Sequence, residues 1–295
     1  MTAQSRYEAL SSDRNQFLQA ALDASKLTLP YLIKQEDENS SYKNVLNPYQ
    51  SVGAKGVVTL ASKLMLSLLP VQTSFFKLQL DETEMMNEEI DPKIRSDLDL
   101  SFSKIERTMM ESIAASDDRV VIHQALKHLV VAGNALVFMA KDKLKLYPLN
   151  RYVVDRDGLG NVIEIVTKER INKKIVQEMF PEFKEQETES VNSYQGTGQE
   201  NQCDVYTHVR RDNNRFVWHQ EVYGKIIPRT QSKAPLDTNP WLPLTFNSVD
   251  NEAYGRGRVE EFIGDLKSLD ALSQAIIEGS AAAAKVIFVV SPSST

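Results

Sequence analysis

The stretch His123–Phe138, HQALKHLVVAGNALVF, changes its hydrophobic period midway, and that change decides the fold class. From Arg119 to Ala132 the apolar residues Val121, Ile122, Ala125, Leu126, Leu129 and Val130 recur every three or four positions, which is one face of a helix. Asp117 or Asp118 can cap its start. Gly133 can end it, because glycine tolerates the left-handed conformation that closes many helices. Asn134–Ala140 (NALVFMA) then reads as a strand, being short, apolar, and containing β-branched and aromatic residues.

Downstream of this point the strand signals continue. Leu144–Tyr147, Tyr152–Asp155 and Val162–Thr167 are rich in β-branched and aromatic residues, and Asp157-Gly158 with Gly160-Asn161 punctuates a hairpin. A short helix is expected at Asn172–Phe180 and two strands at Asp204–Arg210 and Arg215–Tyr223, about the turn Asp212-Asn213-Asn214. Residues 181–202 are polar and acidic and read as a flexible loop. Residues 224–240 hold three prolines and also read as loop, before a short strand at Leu242–Asn247. A long helix, about Arg258–Ala284, carries an apolar stripe through Val259, Phe262, Ile263, Leu266, Leu269, Leu272 and Ile276. Its end turns to small residues, Gly279 and Ala281–Ala284, before a strand-like run at Val286–Val290.

Upstream the period is helical. Residues 5–27 form one helix, which Thr28, Leu29 and Pro30 break, and Glu36–Asn44 is a polar loop. Asn47-Pro48 opens a second helix, with Leu60, Leu64 and Leu68 stacked at intervals of four and Pro70 closing it. Gly53 and Gly56 each cost about 1 kcal/mol relative to alanine inside a helix, so either another element approaches them closely or they are merely tolerated. Phe75–Leu80 alternates like a short strand, and Glu82–Ala115 is helical with a break at Asp91-Pro92. The chain is therefore expected to be α+β, with small antiparallel sheets and a long C-terminal helix.

Composition narrows the function. Of 295 residues, 42% are hydrophobic and 25% charged, the balance of a soluble globular chain. The net charge of −6 argues against a protein that grips DNA through its phosphates, which calls for a basic excess. The single cysteine, Cys203, has no partner for an internal disulfide and suits a reducing compartment. The N-terminus is too polar for a signal peptide, and the most apolar stretch, Val57–Val71, is too short and too interrupted for a membrane span.

The chemistry-bearing motifs are missing. There is no phosphate-binding G-x-x-x-x-G-K-[ST] and no G-x-S-x-G nucleophile elbow. His123 and His128 are five apart and do not share a helix face, while His208 and His219 fall on separate strands, so no metal set is expected. No carboxylate pair stands out as catalytic, and no cofactor is implied. Tyr254-Gly255-Arg256-Gly257-Arg258 places two arginines at a helix start, which can attract anions, but a tight strand-to-helix turn explains the spacing better. The charge runs at 36–38, 81–89 and 182–189 read as solvated faces or loops.

Five blocks carry a resemblance. SVGAKGVVTLASKLMLSLLP (Ser51–Pro70), HQALKHLVVAGNALVF (His123–Phe138), KLYPLNRYVVDRDGLGNVIEIVTKE (Lys145–Glu169), DVYTHV (Asp204–Val209) and YGRGRVEEFIGDLKSLDALSQAI (Tyr254–Ile276) resemble, in the same order, the portal proteins of T7-like podoviruses. The resemblance implies a head-to-tail connector fold, seen in part: a mostly helical wing-type α+β domain at 1–255, then at 256–295 a long helix leading toward stem and clip. It implies a dodecameric ring at one capsid vertex, assembled in the host cytoplasm and carried in the virion. The ring would be the channel for packaging and ejecting double-stranded DNA. Its partners would be the terminase large subunit, scaffolding protein, major capsid protein and tail proteins. Family members continue past the point matching Thr295, so a fragment or a split or truncated gene product is expected. Lys267 and Lys285 are the candidate cations for the DNA channel. The competing expectation is a DNA- or nucleotide-acting phage enzyme with no standard motif.

Overall fold

A computed structural model describes residues 2–33, 47–70, 73–79, 92–179 and 202–285. In chain order these hold helices α1 (Ala3–Leu27), α2 (Val52–Leu68), α3 (Pro92–Ala115) and α4 (Asp118–Ala132), then strands β1 (Asn134–Met139), β2 (Leu144–Tyr147), β3 (Tyr152–Arg156) and β4 (Val162–Asn172). Helix α5 (Lys173–Met179) leads to β5 (Gln202–Asp212), β6 (Arg215–Val222), β7 (Lys225–Ile226), β8 (Ser232–Pro235) and β9 (Trp241–Thr245). A 3-10 turn at Arg258–Phe262 then enters α6 (Ile263–Ala283).

The strands make two antiparallel sheets, one in the order β2-β1-β9 and one in the order β3-β4-β5-β6-β7, with β8 also pairing β6. Gly133, at φ 72°, ends α4 and turns the chain into β1. β1 shows little polar alternation because both its faces are covered. Leu136 enters one core beneath α1, while Ala135 and Val137 enter another with Ala61 and Met65 of α2 and Leu126 and Leu129 of α4. The β3–β4 turn is built as its sequence indicates: Asp157 Oδ1 accepts from the amides of Leu159 and Asn161, and Gly160 takes φ 83°.

Helix α1 lies across both sheets. Its Phe17, Leu18, Ala21 and Leu22 pack with Tyr152, Val154, Ile165 and Trp241, and nearer its start Ala3 and Tyr7 meet Val153, Val166 and Tyr206. Arg14 is buried in this contact and donates to Tyr7 Oη and to the carbonyls of Asn150 and Tyr152. The helix start is held from the sheet side, where Glu221 Oε2 accepts from the Ala3 amide at 2.6 Å and Glu164 Oε2 from Arg6 Nε at 2.7 Å.

Several boundaries depart from the sequence reading. α2 begins at Val52 rather than at Asn47-Pro48. Gln50 does the work expected of the asparagine: its Oε1 accepts from the Gly53 amide, and its Nε2 donates to the Leu27 carbonyl. Gly53 permits a close approach, since a Cβ there would lie 2.6 Å from Leu27 O, whereas Gly56 has open space. Residues 73–79 form no strand; the Leu78 amide donates to the Glu106 side chain instead of to a sheet neighbour. Residues 224–240 are not plain loop, because β7 and β8 both pair with β6 there. The expected loops at 36–44 and 181–202, apart from Gln202 at the start of β5, lie outside the described residues. So do the charge run at 81–89, residues 82–91 of the expected helix, and the run at 286–290.

Candidate functional site

The chain crosses itself where β9 and the last helix meet the end of α4. The Phe246 amide donates to Gly133 O at 2.9 Å, and Asn247 and Arg256 exchange backbone hydrogen bonds. Buried Asn134 binds Gly255 at both ends: Oδ1 accepts from its amide at 2.8 Å, and Nδ2 donates to its carbonyl at 2.7 Å. The same Nδ2 donates to Ala132 O at 3.0 Å. Only glycine fits on either side of the crossing. A Cβ on Gly257 would lie 2.4 Å from Val131 O, and one on Gly133 would lie 2.3 Å from Arg256 C.

Around this point the side chains tie α6 to the body. Tyr254 is buried, stacks near Phe17 at 5.3 Å, and its hydroxyl accepts from the Val154 amide on the outer edge of β3. Burial pushes its phenol well above the usual range. Val259 is buried with Val57, Val130 and Val131. Arg256 donates to Glu252 at 2.6 Å and to Glu260 at 2.7 Å, while Arg258 reaches Glu261 at 2.6 Å. Both arginines at the helix start are therefore answered by carboxylates of the same segment, which makes the tight turn, not an anion site, the observed arrangement. Hydrogen bonds from Arg256 hold the Glu252 carboxyl below its ordinary value, and those carboxylates raise the guanidinium.

Beyond the crossing, no residue of α6 is fully buried, and Leu266 alone packs against a core cluster of the described residues. At 1.5 Å per residue it runs roughly 30 Å. Leu272 and Ile276 are each 60% exposed and Ile277 52%, so the later part of the stripe read from the sequence has no cover within this chain's described residues, while Val259 and Leu266 at its start pack on the core. Lys267 and Lys285 are both exposed, Lys267 on α6 and Lys285 just past its end, and the structure brings no other candidate residue beside them. α3 has the same character, with Ile94, Leu100, Ile105 and Met109 all exposed. Among the described residues no helix is long and apolar enough to cross a membrane, and no group of three or more His, Cys, Asp or Glu side chains is placed to hold a metal ion.

The histidines are placed more closely than their spacing suggested. His208 and His219 sit directly opposite each other on β5 and β6, with rings 5.4 Å apart. Each meets a buried glutamate, His208 with Glu164 at 2.6 Å and His219 with Glu221 at 2.8 Å. Burial alone would raise the Glu164 carboxyl, but hydrogen bonds from His208 and Arg6 outweigh it and leave the group below its ordinary value. On α4, His123 approaches Ser62 at 3.4 Å. His128 is buried, and its Nδ1 has no hydrogen-bond partner among the described residues. Cys203 is a buried cysteine on β5, in no disulfide among the described residues. The missed residue of greatest weight is Asn134; its signal was a lone amide opening an otherwise apolar strand, directly after a helix-ending glycine.

The model of the bacteriophage head to tail connecting protein family matches residues 1–295. The chain belongs to that family. It is 36% identical over 298 residues to the portal protein of Enterobacteria phage T3, and 35% over 299 to that of Escherichia phage T7. Each match takes in 98% of this chain and 54% of the relative. The portal protein of Pseudomonas phage phiKMV is 31% identical over 264 residues, 87% of this chain and 50% of the relative. The chain spans about half the length of the curated relatives it matches. The resemblance carried by the five blocks is thus met by the family match over residues 1–295, and the expected mix of helices, small antiparallel sheets and a long late helix is present.

His128 makes the connector fold sensitive to acid. Burial pushes its pKa from 6.5 down to about 4. The unfolded chain therefore takes up a proton there that the folded chain refuses, and stability falls as pH drops from 6.5 toward 4. The loss from this group is about 3 kcal/mol. Glu164, held low, works in the same direction, its contribution fading as pH falls through its folded-state pKa. Urea unfolding of wild type and His128→Leu across this range should show the variant losing about 3 kcal/mol less. Parallel pH profiles would remove His128 as the cause.

Proposed function

We propose that this chain supplies the wing and the first inward-running helix of a portal subunit. Residues 1–255 act as the wing-type body, and residues 256–295 lead toward the stem and clip. Twelve such subunits close side by side at one capsid vertex around a hole through which double-stranded DNA is packaged and later ejected. The ring offers faces to the terminase large subunit, scaffolding protein, major capsid protein and tail proteins. Its role is mechanical, with no turnover of its own.

The observation that carries this reading is α6. A helix of 21 residues whose later half projects the uncovered apolar residues Leu272, Ile276 and Ile277 is costly in water for a lone chain and is explained by neighbouring copies that bury them. The name of the relatives, portal protein, supports the same assignment. The chain's net charge of −6 suits a conduit that lets DNA slide, because each fixed cation facing a phosphate adds a barrier to movement. Lys267 and Lys285 remain the candidate lumen cations; alanine at both positions with packaging rate unchanged would remove them.

The stripe itself is testable. In the intact gene product, Leu272→Asp with Ile276→Asp should abolish closed rings in electron micrographs. The fold should stay within about 0.5 kcal/mol of wild type, because both side chains are exposed in the single chain. Rings that form as readily as in wild type would refute the assignment of this face to a neighbour.

A further inference from the structure

We infer that the crossing of the chain beside α4 is a rigid mount that sets the direction in which α6 leaves the body, with Asn134 as its positioning residue. The inference rests on the ring reading only for its consequence, since copies that share an exit direction can close and copies that differ cannot. The mount itself is a property of one chain.

Leu266 packs the first turns of α6 onto the cluster of Val57, Val130 and Val131, and the helix meets α1, but past Leu266 no α6 side chain joins a hydrophobic cluster of the described residues, so its direction is set near its root. Apart from the Tyr49 amide donating to Asp270, the restraints named on the helix lie at its root. There the backbones of Val131–Gly133 and Gly255–Gly257 lie so close that no Cβ fits on Gly133 or Gly257. A contact between two backbones is stiffer than one between side chains, because neither partner has rotamers through which to yield. Asn134 locks the two segments in register through two buried hydrogen bonds to Gly255, each of which would leave an unsatisfied group if the segments slid, and a third to Ala132 O fixes its own side chain. Arg256 bridges from Glu252, ahead of the crossing, to Glu260, in the 3-10 turn behind it, and so braces the turn from the solvent side. Val259 plugs the end of the turn into the core.

The test is a distance measured by spin-label pulsed spectroscopy on this chain. Labels are placed at Lys143→Cys in the body and Ala275→Cys on α6, both exposed, with Cys203→Ala as background. The parent should give one narrow distance. Asn134→Ala should broaden it about twofold while the far-ultraviolet circular dichroism stays the same, as expected when a local restraint is released without global unfolding. Asn134→Asp keeps the acceptor to Gly255 but sets a carboxylate oxygen against the carbonyls of Ala132 and Gly255, and should broaden it at least as much. Arg256→Gln, at a half-exposed side chain, provides a folded variant if Asn134→Ala does not fold, and should broaden the distance too. Widths that match the parent in the folded variants would overturn the mount, even if their unfolding midpoints fall. A narrow, Asn134-dependent distance in a chain whose intact product never forms rings would leave the mount standing and sink the ring reading instead.

Discussion

Gly257→Ala is expected to destabilise the chain by about 3 kcal/mol or more, because the new methyl meets backbone that cannot move aside. Its Cβ would lie 2.4 Å from Val131 O, 2.8 Å from Val131 C and 3.0 Å from Gly133 N. The torsions are not the obstacle, since Gly257 sits at φ −80° and ψ 152°, which alanine adopts freely. The whole cost is therefore steric and reports the closeness of the crossing. Gly133→Ala adds a second penalty, a left-handed φ of 72°, to a Cβ 2.3 Å from Arg256 C. The control is Gly56→Ala. That residue lies inside α2 with nothing within 4 Å, so the same substitution should raise stability by about 1 kcal/mol through helix propensity alone. Urea midpoints of the three variants decide the matter. A neutral Gly257→Ala would mean that the two segments are not in contact.

Tyr254→Ala should cost about 3–5 kcal/mol, the range for emptying a large aromatic from a core. The ring is 2% exposed, lies against Phe17, and fixes the loop before α6 to both α1 and β3. Tyr254→Phe keeps the packing but strips the partner from the Val154 amide, and should cost about 1–2 kcal/mol. The ratio of the two losses separates packing from hydrogen bonding at this anchor. Equal losses would place the weight on the hydroxyl, and a loss from neither would show that Tyr254 does not hold the loop.

The elements that were legible in the sequence are those whose pattern is set by burial on one side or both. The change of period at Gly133, the Asp157–Asn161 hairpin and the long helix after Tyr254 all follow from local spacing, and all are present. Phe75–Leu80 alternates as a strand should, but alternation shows which side chains could face a core and supplies no partner strand. β7 and β8 were hidden among prolines because an edge strand needs few ladder hydrogen bonds and tolerates Pro235 at its end. Gln50 outdid Asn47 as the helix opener through a contact to Leu27, 23 residues away, which no local pattern reveals. The same holds for Asn134 and Gly255, 121 residues apart, and for the cross-strand pair His208 and His219. The stripe on α6 was legible as apolar, but its lack of cover was not, because hydrophobic spacing says that a face is to be buried and not against whom.

The central claim is that the intact gene product closes copies of this chain around a hole, with α6 directed inward. Electron cryomicroscopy of the purified intact product, with the subunits counted in end-on views, tests it most directly. Closed rings of twelve with density for α6 lining the inner wall are the predicted result. A monodisperse single particle with no central opening, or a ring in which α6 faces outward, would contradict it.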